Sequence, residues 1–265
     1  MNTTADLSRN RIDRLFSNRK EPVLSVYLTA GYPGPDDTVP LIQALADSGV
    51  DMIEVGMPFS DPLADGKVIQ GSSQVALRNG MSVRRLFEQL AGIREHVSIP
   101  LVLMGYLNPV LQFGIKDFLS ACRETGIDGL ILPDLPLREY EAHYRDLFTE
   151  YGIHLILLIT PQTEPERVKK IASLTGGFLY MVAASSTTGR TGEFSDEQLE
   201  YFKRIRDMKP GVPCLIGFGI SDKKGFKVAS EYADGAIIGS ALIRALGQEG
   251  DPAALARDFI RPVKG

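Results

Sequence analysis

Two carboxylates in one short stretch are the residues of this sequence best suited to chemistry. Glu54 stands at the end of an apolar, β-branched segment, and Asp65 follows in a loop rich in proline and glycine. A buried carboxylate among apolar strand residues is costly unless something uses it or hydrogen-bonds it. Two carboxylates in different environments can hold different pKa values and so divide acid and base work. The pattern favours function over a structural salt bridge for Glu54, whereas Asp65 taken alone is more typical of a turn.

Glycine turns in the last quarter of the sequence predict a phosphate site. Gly217 and Gly219 follow one apolar segment, and Gly239 and Ser240 follow the next. Backbone N–H groups at such turns, and at a helix beginning at Ser240, attract anions. In (β/α)8 barrels, the loops after strands seven and eight are the common phosphate site. The pattern is therefore more typical of a phosphate site than of plain turns with Ser240 as an ordinary N-cap.

These residues need a scaffold that gathers strand ends, and the sequence repeats a unit that can supply one. Amphipathic segments end in a glycine at Gly49, Gly126 and Gly152, where a helix C′ residue adopts a left-handed conformation, and a β-branched run follows each. The predicted strands are Leu24–Leu28, Met52–Val55, Leu101–Met104, Gly129–Leu132, His154–Leu158, Phe178–Val182, Cys214–Gly217 and Gly235–Ile238. The predicted helices are Leu7–Phe16, Thr38–Asp47, Val83–Glu95, Ile115–Glu124, Arg138–Glu150, Pro165–Leu174, Asp196–Asp207, Lys223–Tyr232 and one after Pro252.

Eight strands alternating with helices predict an α/β fold of the (β/α)8 TIM barrel type, with an extra N-terminal helix, in a single domain spanning residues 1–265. A doubly wound open sheet is less well supported, because no GxGxxG motif follows the first strand. Two βα connections, loop 2 (Met57–Ser72) and loop 6 (Ala183–Phe194), exceed the roughly 2–6 residues typical of such folds. Long loops at this face indicate lids or binding loops.

Composition argues against several functional classes. The chain has 265 residues, is 44% hydrophobic and carries a formal net charge of −4, which is not the charge pattern of a protein that binds nucleic acid or an anionic membrane. Residues 1–20 lack an apolar signal core, and no apolar run is long enough to span a bilayer. Cys122 and Cys214 are far apart and fit small buried residues of a reduced, cytoplasmic protein.

The residue types at the predicted strands limit the chemistry further. None of these strands carries the lysine that a Schiff-base aldolase needs. His96 and His143 fall in helical segments and His154 begins a strand, so no histidine is expected at a strand end to bind a metal. The sequence therefore favours carboxylate acid–base catalysis, without a metal, on a substrate that supplies its own electron sink.

The motifs that surround these residues resemble those of the tryptophan synthase α subunit family over essentially the full length. The resemblance rests chiefly on Pro58-Phe59-Ser60-Asp61-Pro62-Leu63-Ala64-Asp65-Gly66, and also on residues 27–33, 104–109, 132–136, 217–221 and 239–241. It implies retro-aldol cleavage of indole-3-glycerol phosphate to indole and glyceraldehyde 3-phosphate in tryptophan biosynthesis. The indole ring would be the electron sink, and no cofactor is expected in this chain.

The resemblance also implies roles for individual residues. Glu54 would move protons at the ring carbon and the glycerol hydroxyl, Asp65 would hold the indole N–H, and Tyr180 would lie near the reacting centre, at the end of strand six. The indole pocket would be formed by Tyr27, Met104, Phe218 and Ile237. The phosphate would lie against Gly189, Gly217, Gly219, Gly239 and Ser240, and Thr188 would belong to the lid.

A partner is implied as well, the tryptophan synthase β subunit with its pyridoxal phosphate, in an α2β2 tetramer. Contacts are expected at Pro58, Asp61, Asn108 and Pro136. The sequence departs from common family forms at Lys67, Ala184 and Ser186, which bear on the lid. Two alternatives remain: another phosphate-binding barrel isomerase of aromatic amino-acid biosynthesis, and a non-catalytic barrel that only activates a partner. The first would lack the Pro58–Gly66 signature, and intact Glu54 and Asp65 argue against the second.

Overall fold

A closed barrel of eight parallel strands, each hydrogen-bonded to the next in sequence order, forms the protein and confirms the predicted (β/α)8 fold. The computed structural model describes residues 10–62, 65–183 and 194–264. Closure is made by β8 against β1, with Val23 opposite Gly235. The strands are Val23–Thr29 (β1), Met52–Gly56 (β2), Leu101–Met104 (β3), Gly129–Ile131 (β4), His154–Ile159 (β5), Leu179–Val182 (β6), Cys214–Gly217 (β7) and Gly235–Ile238 (β8).

Helices surround the barrel. They are Arg11–Asn18 (α1), Thr38–Asp47 (α2), Lys67–Arg78 (α3), Val83–Leu90 (α4), Leu107–Phe113 (α5), Ile115–Thr125 (α6), Leu137–Glu139 (α7), Arg145–Tyr151 (α8), Pro165–Ala172 (α9), Asp196–Met208 (α10), Lys223–Ser230 (α11), Ser240–Leu246 (α12) and Pro252–Lys264 (α13). A 3₁₀ turn, Ile93–Glu95, precedes β3, and a π-helical turn, Tyr140–Tyr144, joins α7 to α8.

Alternation along the strands divides the side chains between the barrel interior and the surrounding helices. Ile53 and Val55 belong to the large apolar cluster beneath the helices, whereas Met52 and Tyr27 belong to a smaller cluster inside the barrel. Because successive strand side chains point to opposite faces, Glu54 shares the interior side of β2 with Met52. The fold therefore directs this carboxylate into the barrel, as the sequence pattern predicts.

The predicted loop 2 is too long, because α3 already begins at Lys67. The buried face of α3 consists of Ile69, Ser72, Ser73 and Ala76, spaced as a helix requires, but two of the four are serines. A search for apolar periodicity does not detect such a face. Ser72 is satisfied in the core because its hydroxyl shares a 2.7 Å hydrogen bond with that of Thr29 and also donates to the carbonyl of Ile69.

Several other predicted boundaries were wrong. The helix predicted to end at Glu95 ends at Leu90, because Gly92 has a φ of 77°. The single helix predicted for residues 138–150 is divided by the π-helical turn, and α5 was not predicted at all. The opening helix begins after Asn10, whose side chain accepts the backbone N–H of Ile12, and residues 7–9 lie outside the described residues. Most of loop 6, residues 184–193, also lies outside them.

The glycines that end the repeated helical segments lie at the N-terminal end of the barrel. Gly49, Gly126 and Gly152 have φ values of 83°, 74° and 71°, as the C′ prediction requires. Two residues after the first two glycines, Asp51 and Asp128 accept backbone N–H groups at the start of the preceding strand, from Leu24 at 2.8 Å and from Leu101 at 2.9 Å. These bonds fix the strands at the end opposite the loop that carries Asp65.

His143, His154 and both cysteines lie on elements other than the loop that carries Asp65. His154 Nε2 is 2.9 Å from Asp13 Oδ1 at the N-terminal end, and His143 is exposed in the π-helical turn. Cys122 and Cys214 are free and buried. Within the described ranges, no group of three or more metal-binding side chains is found, and no helix is long and apolar enough to cross a membrane.

Candidate active site

A cavity lies at the C-terminal ends of the strands and gathers most of the candidate site residues; we call it the first cavity. Its walls come from five strands, the start of α3 and the loops after β7 and β8. They consist of Tyr27, Glu54, Ile69, Met104, Tyr180, Phe218, Ile237, Gly239 and Ser240. The mixture of apolar walls with a few converging polar groups is typical of a small-molecule site.

Glu54 is fully buried in the wall of the first cavity. The Ser25 hydroxyl donates to Oε1 at 3.2 Å, and Oε2 has no hydrogen-bond partner among the described residues. Burial raises the pKa of Glu54 to about 8, although the Ser25 bond acts in the opposite direction. At neutral pH the carboxyl is therefore mostly protonated, so it can give a proton first and accept one afterwards. The strand continues to Gly56, so Glu54 lies in the middle of β2 rather than at its end.

Asp65 lies in a neighbouring second cavity, which it shares with Tyr27, Met57, Met104, Gly105, Tyr106 and Pro133. The Tyr106 hydroxyl donates to Asp65 Oδ2 at 3.2 Å. Burial raises the pKa of Asp65, and the Tyr106 bond lowers it. Because Tyr27 and Met104 line both cavities, the two carboxylates lie on either side of a shared wall and in different environments.

Two buried tyrosines face the interior at this end, and two glycines make room for them. A Cβ atom at Gly56 would collide with the Tyr27 hydroxyl, and one at Gly217 would collide with the Tyr180 hydroxyl. Burial raises the pKa of both phenols, so each stays neutral. Tyr180 is the second residue of β6 rather than its last, yet its side chain reaches the first cavity.

Phe218 has a backbone conformation that only glycine adopts without strain, with φ at 75°. Its ring meets that of Tyr180 edge-on, with 6.4 Å between the centroids, and both line the first cavity. Strained residues of this kind cost of the order of 1–3 kcal/mol and concentrate at functional sites. The strain at Phe218 thus places an aromatic wall over the cavity.

The residues expected to bind phosphate lie where β7 and β8 end. Gly217 closes β7, Gly219 follows with a φ of 82°, and Gly239 precedes α12, which begins at Ser240 as predicted. Gly239, rather than Ser240, is the N-cap residue, and no side chain caps the helix. Gly239 and Ser240 line the first cavity, while Gly189 and Thr188 lie outside the described residues.

The positions expected to contact a partner lie on the segments that follow β2, β3 and β4, at the same end of the barrel. Asp61, Asn108 and Pro136 are exposed, and Pro58 is half-buried. Beside Asn108, Leu111 exposes 47% of its surface, although it is a large apolar residue. Polar and apolar groups are thus both available for contact around the cavities.

Sequence reasoning missed three residues of the site. Ser25 and Tyr106 hydrogen-bond the two carboxylates, and Ile69 lines the first cavity. Polar Ser25 and Thr29 flank Tyr27 at two-residue spacing, and this alternation was the available signal that the interior face of β1 is polar. Ile69 gave no signal because α3 was not predicted.

A larger cavity lies at the opposite end, between α1 and the C-terminal ends of α10 and α11. Among its charged residues, Arg19 pairs with Asp234, and Arg206 lies over the Tyr232 ring. Catalysis in (β/α)8 barrels takes place at the C-terminal face, whereas the N-terminal face serves stability. We therefore assign the chemistry to the smaller pair of cavities.

Comparison with known proteins gives the same family across sequence and structure. The family model described as tryptophan synthase alpha chain matches residues 15–260. The tryptophan synthase alpha chain of Bacteroides thetaiotaomicron is 54% identical over 243 residues, which cover 92% of this chain and 95% of the relative. That of Christiangramia forsetii is 51% identical over 255 residues, with 96% and 98% covered.

Solved structures of tryptophan synthase chains resemble this chain as well. A tryptophan synthase alpha chain from Legionella pneumophila superimposes with a TM-score of 0.87 at 32% identity, covering 97% of both chains. A chain of the tryptophan synthase complex from Pyrococcus furiosus gives a TM-score of 0.83 at 33% identity, covering 92% of this chain and 98% of that one. A Mycobacterium tuberculosis tryptophan synthase in an aminoacrylate-bound form gives 0.84 at 31% identity, with 96% and 98% covered.

Proposed function

The chain belongs to the tryptophan synthase α chain family, and from that premise we propose that Glu54 and Asp65 carry the family's reaction. That reaction, which this lyase catalyses, is the cleavage of indole-3-glycerol phosphate to indole and glyceraldehyde 3-phosphate in tryptophan biosynthesis. The observation that carries the assignment is the fully buried Glu54, whose pKa is about 8 and whose Oε2, in the cavity wall, accepts no hydrogen bond from the described part of the chain.

Glu54 serves in turn as acid and base in this proposal. Its protonated carboxyl gives a proton to the indole carbon that bears the glycerol chain, and the ring nitrogen becomes positively charged. The resulting carboxylate then takes the proton of the neighbouring glycerol hydroxyl. The carbon–carbon bond breaks, its electron pair returns to the ring, and the hydroxyl-bearing carbon becomes the aldehyde. Glu54 ends protonated as it began, which suits a carboxyl whose pKa lies near the working pH.

Asp65 stabilises the charge that develops on the indole ring. Its carboxylate accepts the indole N–H, so it interacts more strongly with the cationic intermediate than with the neutral substrate. Tyr27, Met104, Phe218 and Ile237 supply the pocket for the ring, and the neutral hydroxyl of Tyr180 lies beside the reacting bond. Placement of Asp65 and Glu54 in adjoining cavities supports this division of work.

The test of this function is spectrophotometric. Purified protein is incubated with indole-3-glycerol phosphate, and indole release is followed without added metal or cofactor. We expect stoichiometric indole and glyceraldehyde 3-phosphate. Isomerisation of an anthranilate-derived sugar phosphate without indole release would favour the alternative isomerase, and no turnover even with the partner present would favour the non-catalytic alternative.

We place the substrate phosphate against Gly217, Gly219, Gly239 and Ser240, with Gly189 contributing from loop 6. Ser240→Asp tests this placement. A carboxylate at the first residue of α12 is compatible with the helix dipole, but it would repel a phosphate bound there. We expect affinity for glycerol 3-phosphate to fall by at least tenfold while free indole still binds, as measured by calorimetry. Unchanged phosphate affinity would move the site elsewhere.

Tryptophan synthase α chains form complexes with the β subunit, which carries pyridoxal phosphate, whereas the α chain has no cofactor of its own. We propose that the β subunit docks over the loops that carry Pro58, Asp61, Asn108 and Pro136. Exposure of Asp61, Asn108 and Pro136, and of the apolar Leu111, supports this surface. Loop 2 carries both Asp65 and the contact residues Pro58 and Asp61, so docking can order the catalytic loop directly, with Thr188 of loop 6 as its partner in the lid.

The expected consequence is stimulation by the partner. Mixing the chain with the β subunit of its own genome should raise the rate of indole-3-glycerol phosphate cleavage at least tenfold, equivalent to about 1.4 kcal/mol of barrier. Asp61→Ala should lose most of that gain and keep the basal rate. If sizing shows no complex and the rate does not rise, this α chain works alone.

Two broader assignments are also proposals. We infer that residues 1–265 form one domain, supported by the single closed sheet. We infer a cytoplasmic location from the biosynthetic family and the two free, buried cysteines.

A further inference from the structure

Tyr106 connects the end of β3 to the loop that carries Asp65. Its hydroxyl donates to Asp65 Oδ2 at 3.2 Å. Its ring stacks on that of Phe59, with 5.1 Å between the centroids and 29° between the planes. Both contacted residues belong to loop 2, six positions apart, so one side chain holds the loop at two points.

Tyr106 itself is held by the barrel rather than by a loop. It exposes only 6% of its surface and lies directly before α5. The backbone N–H of Leu107, the first residue of α5, is bonded by both carboxylate oxygens of Asp134, at 2.9 and 3.1 Å. On the other side, the N–H of Gly105 donates to the carbonyl of Ile131 at 3.0 Å. A group held on rigid elements in this way can fix the geometry of a loop residue.

We propose that Tyr106 is a positioning residue for the reaction, which orients the Asp65 carboxylate and keeps it ionised before the indole ring arrives. The inference rests on the proposed role of Asp65. Tyr106 uses Oδ2, so the carboxylate's other oxygen is the one directed to the indole N–H. Phe59 holds the phenol ring in the plane that this hydrogen bond requires.

The electrostatic reason is that Asp65 must act as an anion in a place that disfavours one. Burial raises its pKa, and the hydrogen bond from Tyr106 is the influence that lowers it. A donor to the charged form of a carboxylate always favours ionisation. Loss of the hydroxyl should therefore move the pKa of Asp65 upwards, and activity at low pH should suffer most.

Tyr106→Phe is the decisive variant, because it keeps the ring and its stacking on Phe59 and removes only the hydroxyl. We expect the low-pH limb of the kcat profile to move up by about one pH unit, a tenfold change in proton affinity. The loss of kcat should be largest at low pH and shrink as pH rises, while KM for indole-3-glycerol phosphate changes less than about threefold.

Tyr201→Phe is the matched control. Tyr201 is also a buried tyrosine with a bonded hydroxyl, but it lies on α10 and donates to the carbonyl of Ile159 in β5, at 3.1 Å, rather than to Asp65. The Tyr201→Phe variant should lower Tm without moving the pH profile of kcat. If Tyr106→Phe leaves the low-pH limb in place while Asp65→Asn is inactive, Tyr106 only packs and the inference is wrong. If Asp65→Asn is fully active, the proposed role of Asp65 fails and the inference fails with it.

Discussion

Glu54→Gln should lower kcat for indole-3-glycerol phosphate cleavage by about 10²–10⁴, the usual contribution of a general acid–base group. The substitution keeps the size of the side chain and an acceptor for the Ser25 hydroxyl, but the amide can neither give the first proton nor take the second. Steady-state kinetics with and without the β subunit measure the loss. Since the pocket keeps its shape, KM should change little.

The same variant should be more stable than the parent protein, and the difference should depend on pH. Folding raises the pKa of Glu54 from 4.5 to about 8. Between these values the unfolded chain has lost the proton and the folded chain holds it, so the parent loses stability as pH rises through this window. Glutamine has no such dependence. The gain in free energy of unfolding should grow from near zero at about pH 4.5 to the order of a few kcal/mol at pH 8.

Denaturant titrations across this window measure the gain, and Asp51→Asn is the control for a carboxylate-to-amide change. Asp51 accepts the N–H of Leu24 and pairs with Lys264 at the opposite end of the barrel. We expect that variant to lose stability and keep kcat. A fully active Glu54→Gln enzyme would remove Glu54 from the mechanism, and an activity loss without the pH-dependent gain would place the carboxyl in a less buried environment.

The scaffold could be predicted from the sequence because its signals are local. Glycines at helix ends, such as Gly49 and Gly126, and largely apolar strands recur along the chain, and the closed barrel follows from the number of strands. Elements whose buried face is not apolar were missed. The α3 helix buries Ser72 and Ser73, and it is stabilised by a hydroxyl contact to Thr29 that no local pattern contains.

In the candidate site, too, features with a local sequence signal could be predicted and features set by distant residues could not. Glu54 could be selected because a carboxylate is anomalous within an apolar strand, and the structure buries it fully. The environment that sets its pKa could not, because burial in the closed barrel raises that pKa, and the bond from Ser25, 29 positions away on the neighbouring strand, opposes the shift. Likewise, Asp65 is typical of a turn by type and spacing. Its place in the second cavity and its hydrogen bond to Tyr106, 41 positions along the chain, distinguish it from an ordinary loop aspartate.

Asp65→Asn should reduce turnover by about 10²–10³, the effect of removing one preorganised stabilising group from a developing charge. Asparagine keeps one acceptor oxygen, for either the Tyr106 hydroxyl or the indole N–H, and it lacks the charge that we propose stabilises the cationic ring. Indole release under saturating substrate gives kcat, and calorimetry with glycerol 3-phosphate gives the affinity of the phosphate site. Because we propose that site on the loops after β7 and β8, away from Asp65, we expect its affinity to stay within about threefold of the parent value.

Asp61→Asn is the matched control, since it makes the same change in the same loop at an exposed position outside both cavities. Without the β subunit it should keep the basal kcat of the parent. The pH profile separates the roles further: the parent should lose activity as pH falls and Asp65 takes up a proton, whereas the residual rate of Asp65→Asn should lack that limb. A collapse of glycerol 3-phosphate affinity in Asp65→Asn would instead identify Asp65 as the residue that organises loop 2. In that case Tyr106, Phe59 and Asp65 would form a structural contact, and the charge on the indole ring would have to be stabilised by another group.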